Sequence, residues 1–555
     1  MGSELDRRFD AMLAAVTGPG GRIVIDQDDK GRAIVTNFPA TLPALFRTFC
    51  ALYPDNEAII AGDERLTFAD LDRISENLAR ALAARGLGKG DRVGIAMRNC
   101  PAWIVSYMAV LKAGGIACLL NGWWQSHEME HALDLVSPKL TIADPPRAKR
   151  MAEVCGTCEI IALDIEKPIS EALAPLMAAG GADAELPEVL PEDLATILFT
   201  SGSTGEAKGA YSTHRAVTTA TYTFATGLMV LLGLLTEDGK APGSAARTLI
   251  NVPLFHVTGE VPVMINSFVI GRCMVIMARW DPIEAMRLIE REKISYFVGV
   301  PTMSLELMTH PDRDRFDLSS LTDIAAGGAP RPVSHVGRLQ DAFPNAQPAL
   351  GYGLTETNAV GCSNFWGNYA AKPASTGRPH KPFVEIIILG AGDHPLPAGE
   401  RGEIAIRTAA NIEGYWGNQA ATAAVFTADG FLKTGDIGYL DEDNYLFIVD
   451  RKKDIILRGG ENISAAEVEA AIYSCSDVAE VCVFGVPDDR LGEVPVAVVF
   501  PEPESSLDEA ALRAFLESRI SAFKIPAAIQ FSAEPLPKLG TGKIDRVALR
   551  AAYGP

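Results

Sequence analysis

The chain has 555 residues, and at roughly 150 residues per domain this length predicts three or four folding units and excludes a small disulfide-bonded scaffold. A content of 48% apolar and 22% charged residues is typical of a globular protein and excludes long intrinsic disorder. Fifty Lys and Arg against seventy Asp and Glu leave a net charge of −20. The overall field therefore disfavours nucleic acid and anionic membranes, and any anionic ligand has to be held by a local group of donors.

The sequence carries no obvious targeting segment. Charged residues interrupt positions 1–16, so the apolar run of a signal peptide is missing. The longest apolar stretch, 225–235, is shorter than the ~18 residues of a membrane-spanning helix, which predicts a cytoplasmic protein without an integral membrane segment. Nine cysteines, from Cys50 to Cys482, are an odd number and predict reduced thiols. Residues 552–555 match no peroxisomal or prenylation signal.

Predicted helices and strands alternate from residue 67 onward. Thr67 opens a helix with the pattern of a capping box, and Gly86 ends it. A second helix is predicted over 103–113. Short apolar runs, each followed by a loop rich in Gly, Ser, Thr or Pro, predict buried strands at 93–96, 116–120, 196–200, 248–252, 296–300 and 323–326. This alternation predicts an α/β fold, whose ligand sites gather beyond the strand ends.

The character of the chain changes near residue 450, where a charged segment (450–454) begins. The residues that follow have their own predicted elements, strands at 481–486 and 494–500 and a helix opened by a capping box of Ser506 and Glu509. We therefore predict two domains, spanning 1–450 and 451–555.

Two short motifs have the spacing of metal or redox sites. His127–His131 fits the pattern H-E-x-x-H of zinc proteases, but its flanks form an ordinary amphipathic helix and nothing indicates a third ligand. We interpret it as a solvated helix face. Cys155 and Cys158 have the spacing of a redox dithiol, but neither a second cysteine pair nor a nearby histidine completes a zinc site.

The strongest local signal is the loop that follows the strand predicted at 196–200. Its glycines let backbone N–H groups close on an anion, its hydroxyl side chains add donors, and its lysine adds a positive charge. A flexible polar turn would explain the glycines but not the hydroxyls and the lysine together. The loop therefore predicts a phosphate site, although its spacing is not that of a Walker A motif. Its members are Thr200, Ser201, Gly202, Ser203, Thr204, Gly205 and Lys208.

Further motifs follow this loop in a characteristic order. They are Tyr-Gly-Leu-Thr-Glu-Thr at 352–357, Thr-Gly-Asp at 434–436, Asp-Arg-Lys-Lys-Asp at 450–454 with Gly-Gly-Glu-Asn at 459–462, and Pro-Lys-Leu-Gly-Thr-Gly-Lys-Ile-Asp-Arg at 537–546. Over residues 56–550 the sequence thereby resembles the adenylate-forming superfamily, which includes acyl-CoA synthetases, peptide-synthetase adenylation domains and beetle luciferases. The resemblance implies a large N-terminal domain of packed α/β subdomains and a small, mobile α+β C-terminal domain, with a hinge near 450–453.

The resemblance also implies how ATP is held. The loop 200–208 is expected to hold its β- and γ-phosphates, Thr355 to donate to the α-phosphate, and Glu356 to bind Mg²⁺, a hard cation that prefers carboxylate, water and phosphate oxygens. A flat aromatic surface suits stacking on adenine, and a carboxylate accepts hydrogen bonds from ribose hydroxyls. The residues implied for adenine and ribose are Gly328, Ala329, Pro330, Tyr352, Asp436 and Arg451.

Lys543 is the implied catalytic lysine, with Thr355 and Glu356 as further catalytic residues. Attack of a carboxylate on the α-phosphorus brings two anions together, and a positive charge between them stabilises the transition state. After adenylation, the C-terminal domain is expected to turn about a hinge at Lys453, removing Lys543 and bringing Gly459 and Gly460 to a tunnel for the pantetheine arm of coenzyme A.

For the acid pocket, the resemblance indicates His256, Val300, Gly327 and Gly351. Small residues along the floor leave room for a substrate. His256 is either a gate of this pocket or a buried histidine with satisfied hydrogen bonds. The apolar run 228–235 is either part of a core helix or the lining of an acyl channel.

These residues predict an AMP-forming acid–CoA ligase of the acyl-CoA synthetase branch. No Asp or Glu is placed to bind an amino group, and Asn358 and Ala359 follow the Thr-Glu-Thr motif. The expected substrate is therefore an apolar acid, either a medium or long fatty acid or an aryl or aryl-propenoic acid. An enzyme that loads a separate carrier protein is the alternative; because the chain ends soon after Arg546, free coenzyme A is favoured. A nucleotide-binding regulatory protein or ATPase is the alternative from another class.

Overall fold

The computed structural model describes residues 2–156, 158–178, 180–201, 207–243, 245–328, 331–451, 454–458, 461–488, 490–503, 505–539 and 542–553. Within these ranges the α-helices are α1 (Glu4–Thr17), α2 (Leu42–Leu52), α3 (Phe68–Ala84), α4 (Pro101–Lys112), α5 (Ser126–Val136), α6 (Pro145–Ala152), α7 (Ile169–Ala172), α8 (Ala174–Met177), α9 (His214–Glu237), α10 (Asn266–Ile270), α11 (Pro282–Glu292), α12 (Pro301–Thr309), α13 (Val333–Ala342), α14 (Trp366–Ala371), α15 (Gln419–Val425), α16 (Ala465–Tyr473), α17 (Glu509–Glu517) and α18 (Arg546–Tyr553). A π-helix spans Gly259–Ile265, and short 3₁₀ turns span Arg313–Arg315, Thr355–Thr357, Ala391–Asp393 and Ala522–Lys524.

The strands in the same ranges are β1 (Ile25–Gln27), β2 (Ala33–Val35), β3 (Glu57–Ala61), β4 (Glu64–Thr67), β5 (Arg92–Ala96), β6 (Ile116–Leu119), β7 (Leu140–Ala143), β8 (Glu159–Ala162), β9 (Leu194–Ser201), β10 (Ala207–Thr213), β11 (Arg247–Ile250), β12 (Cys273–Ile276), β13 (Tyr296–Gly299), β14 (Asp323–Ala326), β15 (Gln347–Gly353), β16 (Gly361–Phe365), β17 (Arg378–Pro379), β18 (Glu385–Leu389), β19 (Gly402–Arg407), β20 (Gly414–Tyr415), β21 (Leu432–Leu440), β22 (Leu446–Arg451), β23 (Ile455–Arg458), β24 (Glu461–Ser464), β25 (Val478–Asp488), β26 (Gly492–Pro501) and β27 (Ala528–Phe531).

Sheet I has the strand order β20-β10-β9-β6-β5-β7-β8. Its strands from β9 to β8 are parallel, and β10 returns antiparallel to β9. Strands β6 and β7 are buried at every position, as expected for a parallel sheet that is covered on both faces. The first residues of the predicted phosphate loop, Thr200 and Ser201, are the last of β9, and its lysine, Lys208, lies at the start of β10.

Sheet II has the order β17-β16-β15-β14-β13-β11-β12-β3-β4. The strands from β15 to β3 are parallel, so the carboxyl ends of β13, β14 and β15 meet at one edge. The residues that follow these ends are Val300, Gly327 and Leu354. Sheet II and sheet I share one large hydrophobic core, to which α2, α3, α4 and α9 contribute. The predicted α/β fold is confirmed.

Sheet III (β18-β19-β21-β22) is antiparallel and ends at Arg451, and sheet IV (β24-β23-β26-β25, with β27 beside β26) begins at Ile455. The domain boundary predicted near residue 450 falls at the end of β22, the last strand of sheet III. The division into two domains remains a prediction. Sheet IV has its own apolar core, in which Leu512 and Leu516 of α17 are fully buried.

Two helix starts illustrate how caps were predicted. Thr67 caps α3, since its hydroxyl accepts from the Asp70 N–H and the Asp70 side chain accepts from the Thr67 N–H. The cap predicted at Ser506 is wrong. Helix α17 begins at Glu509, and the Asp508 carboxylate accepts the Ala511 N–H instead. Aspartate caps a helix as well as serine does, and the two candidates lie close together in the sequence.

Helix α9 is the one helix, within the described ranges, that is long and apolar enough to span a membrane by length and composition. Its most apolar window is 61% buried inside the protein. Helix α1 packs along it, and a Cβ atom at Gly233 would lie 2.7 Å from Sδ of Met12. The burial is that of a core helix, although Leu232 is 48% exposed.

The apolar stretch predicted at 225–235 is therefore only the second half of α9. The helix also contains threonines, most of them in its first half, that a count of apolar residues passes over. The hydroxyls of Thr221, Thr223 and Thr226 each donate to the carbonyl four residues earlier, at 2.7–2.9 Å. Because these hydroxyls are satisfied within the helix, the threonines can be buried in the core.

The N-terminal helix is tied to distant parts of the chain through Asp6. The Oδ1 atom of this buried carboxylate accepts hydrogen bonds from Asn368 Nδ2 at 3.0 Å and from the Tyr445 hydroxyl at 2.9 Å, and Arg378 Nη1 lies 3.1 Å away. Ser3 caps the helix and donates to Oδ1 of Asn368. The first residues thus form part of the N-terminal core structure.

Candidate active site

The predicted floor of the acid pocket lies where β13, β14 and β15 end. The Gly327 N–H donates to the Gly299 carbonyl at 3.4 Å. Among the residues that the structure describes, a Cβ atom added at Gly351 would meet no atom within 4 Å, and one added at Gly327 would meet only the Gly351 carbonyl oxygen, at 3.8 Å. Val300, which follows β13, is 7% exposed. The structure therefore brings these predicted pocket residues together around open space.

The predicted adenine and ribose residues are in direct contact. The Tyr352 hydroxyl donates to Oδ2 of Asp436 at 2.7 Å, and Asp436 is only 4% exposed. Burial and the neighbouring carboxylate raise the pKa of Tyr352 well above its usual value, so this hydroxyl stays protonated and remains a donor. Asp436 and Arg451 are opposite each other in the β21–β22 register. The aromatic ring and the carboxylate are thus fixed relative to each other by β15 and β21.

The predicted metal and phosphate residues are joined by an aromatic residue that the sequence analysis did not single out. The Tyr415 hydroxyl donates to Oε1 of Glu356 at 2.8 Å, and Nζ of Lys208 lies 5.0 Å from the centre of the Tyr415 ring. Thr200 and Lys208 are opposite each other in the β9–β10 register. The turn Thr355–Thr357 packs against β9. Glu356 therefore lies beside the strand pair that holds the phosphate loop.

Asn358 holds this turn in place. Its Nδ2 donates to the Ser212 hydroxyl at 2.9 Å and to the Ala410 carbonyl at 2.8 Å, and the residue is 1% exposed. Its backbone has a φ of 48°, a left-handed conformation that asparagine tolerates better than most residues. The side-chain amide therefore makes its hydrogen bonds inside the protein, where it holds the turn Thr355–Thr357. The sequence motifs did not indicate this role.

His256 does not have the hydrogen bonds of a satisfied core histidine. Its Nε2 is buried and has no hydrogen-bond partner among the residues that the structure describes. Burial, and next the charge of Lys543, lower the pKa of His256 to about 3. The imidazole is thus neutral at physiological pH.

Lys543 comes from the C-terminal part of the chain and reaches the strand ends of sheet II. A Cβ atom added at Gly328, just beyond β14, would lie 3.4 Å from Cε and 3.5 Å from Nζ of Lys543. Next to it, the Thr302 hydroxyl donates to the Gly542 carbonyl at 3.3 Å. The predicted catalytic lysine is therefore beside the first residue of the predicted adenine turn and close to Val300.

Several predicted residues lie outside the described ranges. They are Gly202, Ser203, Thr204, Gly205, Ala329, Pro330, Lys453, Gly459 and Gly460. Ser201 and Arg451 are described by their backbones alone, as the last residues of β9 and β22.

The two motifs with metal or redox spacing make internal contacts. Nε2 of His131 lies 3.0 Å from the Ala207 carbonyl oxygen, and Glu128 accepts the Gln125 N–H at 2.8 Å. The nine cysteines are free thiols, and Sγ of Cys155 donates to the Cys158 carbonyl. His131 thereby supports the strand that follows the phosphate loop.

Two parts of the chain each match the model of a known protein family. The family model of the AMP-binding enzymes matches residues 46–416, and that of the AMP-binding enzyme C-terminal domain matches residues 467–543. Together the two matches cover most of the chain, including the phosphate loop and Lys543.

Similar proteins share nearly the whole length of the chain. A long-chain-fatty-acid–CoA ligase of Bacillus subtilis is 34% identical, over 91% of this chain and 93% of its own length. A feruloyl-CoA synthase of Amycolatopsis is 34% identical, over 90% and 96%. The crystal structure of ATP-bound MatB from Rhodopseudomonas palustris superposes with a TM-score of 0.81 and 26% identity, over 92% and 99%. The chain belongs to the AMP-binding enzyme family, in the acyl-CoA synthetase branch of the adenylate-forming superfamily.

Proposed function

We propose that the protein is an AMP-forming acid–CoA ligase that activates an apolar carboxylic acid. The observation that carries this proposal is the position of Lys543, whose Nζ lies beside Gly328 just beyond β14, next to Gly542, which lies against Val300. A cation at the meeting point of an acid pocket and a nucleotide site is what adenylation requires. The relatives that share the fold are named as CoA ligases, which supports the same reaction class.

In the first half-reaction, the carboxylate of the acid attacks the α-phosphorus of ATP, and pyrophosphate leaves. Lys543 stabilises the negative charge that the acid oxygen and the phosphate share in the transition state. Tyr352 supports the adenine ring, Asp436 and Arg451 the ribose, and Thr355 the α-phosphate. His256 stays neutral, so it adds no second charge that would compete with Lys543 for the carboxylate.

Glu356 is the residue that would hold Mg²⁺. A single carboxylate fits this ion, which keeps several waters and takes phosphate oxygens for its other ligands. When bound, Mg²⁺ neutralises charge on the departing pyrophosphate. Tyr415 orients the carboxylate by donating to Oε1, and Lys208 adds positive charge on the same side.

In the second half-reaction, the thiol of coenzyme A attacks the acyl-adenylate, giving the thioester and AMP. Adenylation and thioester formation need different charged groups in the same pocket, and a domain rotation can exchange these groups. We propose that residues 451–555 turn about Lys453, withdraw Lys543 and bring Gly459 and Gly460 to the site. This rotation assigns residues 1–450 to the fixed domain.

An apolar acid is supported by what lines the pocket. The open floor at Gly327 and Gly351 leaves room for a chain or ring, and the neighbouring Val300 is apolar. The amide oxygen of Asn358, the atom that could accept a hydrogen bond from an amino group, already accepts from the Ser212 hydroxyl at 3.3 Å inside the protein. Fatty acids and aryl or aryl-propenoic acids are the candidates.

The test is a screen of purified protein for pyrophosphate release with straight-chain, branched, aryl and polycyclic acids. We expect acid-dependent pyrophosphate release, followed by AMP release that needs coenzyme A but no other protein. Release of inorganic phosphate without pyrophosphate, independent of any acid, would contradict the proposal. AMP release only in the presence of a carrier protein would assign the second step to that acceptor.

A further inference from the structure

The hairpin that carries Lys543 is a small rigid unit. We call residues Pro537–Leu539 and Gly542–Asp545 the lysine hairpin. The Leu539 N–H donates to the Lys543 carbonyl and the Asp545 N–H to the Pro537 carbonyl, both at 2.7 Å. Lys538 is paired with Ile544 across the hairpin. Because Lys538 is paired with the neighbour of Lys543 and Leu539 bonds to the Lys543 carbonyl, a contact that holds Lys538 also restrains the position of Lys543.

Lys538 lies between two carboxylates that belong to different parts of the chain. Its Nζ is 2.8 Å from Oε1 of Glu480, on β25 of sheet IV, and 3.4 Å from Oε1 of Glu306, on α12. The other oxygen of Glu480 accepts the Leu536 N–H at 2.8 Å. Glu480 therefore ties the hairpin to the C-terminal part, whereas Glu306 ties it to the N-terminal part.

Glu306 is itself held in place. The indole N–H of Trp280 donates to its Oε2, and the Trp280 ring packs against Phe297 of β13, with centroids 5.9 Å apart. Helix α12 starts directly after Val300. Thr302, one helical turn before Glu306, contacts the hairpin through the Gly542 carbonyl. The same face of α12 thus presents a hydroxyl and a carboxylate to the lysine hairpin.

We propose that Glu306 is a positioning residue for adenylation, because its ion pair with Lys538 holds the lysine hairpin where Lys543 reaches the reacting carboxylate. This inference rests on the proposed function. The side chains of Lys538 and Glu306 are 25% and 38% exposed. Half-exposed pairs of this kind change an equilibrium by about two- to fivefold. A contact of that strength favours the docked hairpin and still lets it leave for the second half-reaction.

The experiment measures the two half-reactions separately in the full-length enzyme. Acyl-adenylate formation is followed in single turnover with ATP and acid, and thioester formation is followed with supplied acyl-adenylate and coenzyme A. Glu306→Gln keeps an oxygen for the Trp280 indole but removes the charge. We expect adenylation to slow by about two- to fivefold, with thioester formation unchanged or faster. Glu284→Gln, an exposed carboxylate change on the neighbouring α11, is the matched control and should match wild type in both.

A double-mutant cycle connects the effect to Lys538. In a Lys538→Gln background, Glu306→Gln should slow adenylation no further, since the pair is already broken. Equal slowing of both half-reactions, or full additivity with Lys538→Gln, would overturn the inference and leave Glu306 a residue of general stability. Failure of the wild-type protein to form any acyl-adenylate would instead overturn the proposed function, and the two failures are thereby distinguished.

Discussion

The two sides of the candidate site are built differently. On the nucleotide side, Tyr352 contacts Asp436, and Tyr415 contacts Glu356, so side chains from separate strands of the N-terminal part are already joined by hydrogen bonds. On the lysine side, Lys543 arrives on a hairpin from the C-terminal part and is held there by the Thr302–Gly542 hydrogen bond and the Glu306–Lys538 ion pair. The nucleotide side is preassembled, whereas the lysine side is held by contacts that are easily exchanged.

The largest effect is expected from removing the lysine. Lys543→Ala should slow acyl-adenylate formation by about 10²–10³-fold, the usual loss when one charge-stabilising donor is removed. Thioester formation from supplied acyl-adenylate should stay close to wild type, because the proposed rotation withdraws the hairpin in that step. Lys167→Ala, on the exposed surface, is the control. An equal loss of rate in both half-reactions would contradict a role of Lys543 in adenylation alone.

The preassembled side is tested at Asp436. Asp436→Ala should raise KM for ATP by about 10- to 100-fold, since hydrogen bonds to a charged group are lost. Tyr352→Phe keeps the ring but removes the donor to Asp436, so its effect should be smaller. Both are measured by steady-state kinetics with varied ATP. Unchanged KM for ATP in Asp436→Ala would remove this carboxylate from the ribose site.

The open floor of the predicted acid pocket lies between the two sides, and Gly351→Val tests it. No atom of the described part of the chain lies within 4 Å of the added Cβ, and valine suits a strand, so the thermal stability should not change. The side chain should instead exclude bulky acids and lower their kcat/KM by about tenfold relative to a short acid, a usual size for pocket discrimination. The measurement is the ratio of kcat/KM values for the two acids. An equal fall for both would place Gly351 outside the acid pocket.

The smallest effect concerns a residue on neither side. Glu260 is fully buried in the π-helix and its Oε1 accepts the Tyr107 hydroxyl at 2.7 Å. Burial raises its pKa from 4.5 to about 8. The folded protein therefore binds a proton that the unfolded chain has released between these two values, and this contribution to stability is lost as the pH rises from 4.5 through 8.

Glu260→Gln removes this titration and keeps an acceptor for Tyr107. We expect its thermal midpoint to exceed that of wild type by roughly 2–4 °C at pH 9, with a smaller difference at pH 5. Scanning calorimetry or thermal fluorescence at the two pH values measures this. Catalytic half-reactions should be little affected, and a pH-independent difference would contradict the buried protonated carboxyl.

The order of strands and motifs could be predicted from the sequence because each depends on local pattern. Apolar runs followed by Gly, Ser or Thr marked β9, β13 and β14, and the motifs at 352–357 and 434–436 put two site residues at strand positions that meet. The link through Tyr415 could not be predicted, since it joins residues 59 positions apart. Only the pairing of β20 with β10 brings Tyr415 to the phosphate loop.

The contacts that hold the lysine hairpin could not be predicted from the sequence either. Glu306 and Lys538 are 232 positions apart, and although Lys538 belongs to the motif at 537–546, nothing in the sequence singles out Glu306 as its partner. The first half of α9 was missed for a local reason, because its buried threonines are polar by composition but bond their hydroxyls within their own helix. At α17, two acceptable caps competed, and the sequence alone does not rank Ser506 against Asp508.

The Asp6 contacts in α1 have a consequence for the order in which the protein is completed. The Tyr445 hydroxyl that donates to Asp6 lies 439 positions later in the chain. At translation rates of about 5–20 residues per second, Asp6 waits roughly 20–90 seconds for this partner to be synthesised. During that time α9 is made while the final anchors of α1 are still missing. The packing of α1 on α9 is therefore completed only after the ribosome has passed Tyr445 in sheet III.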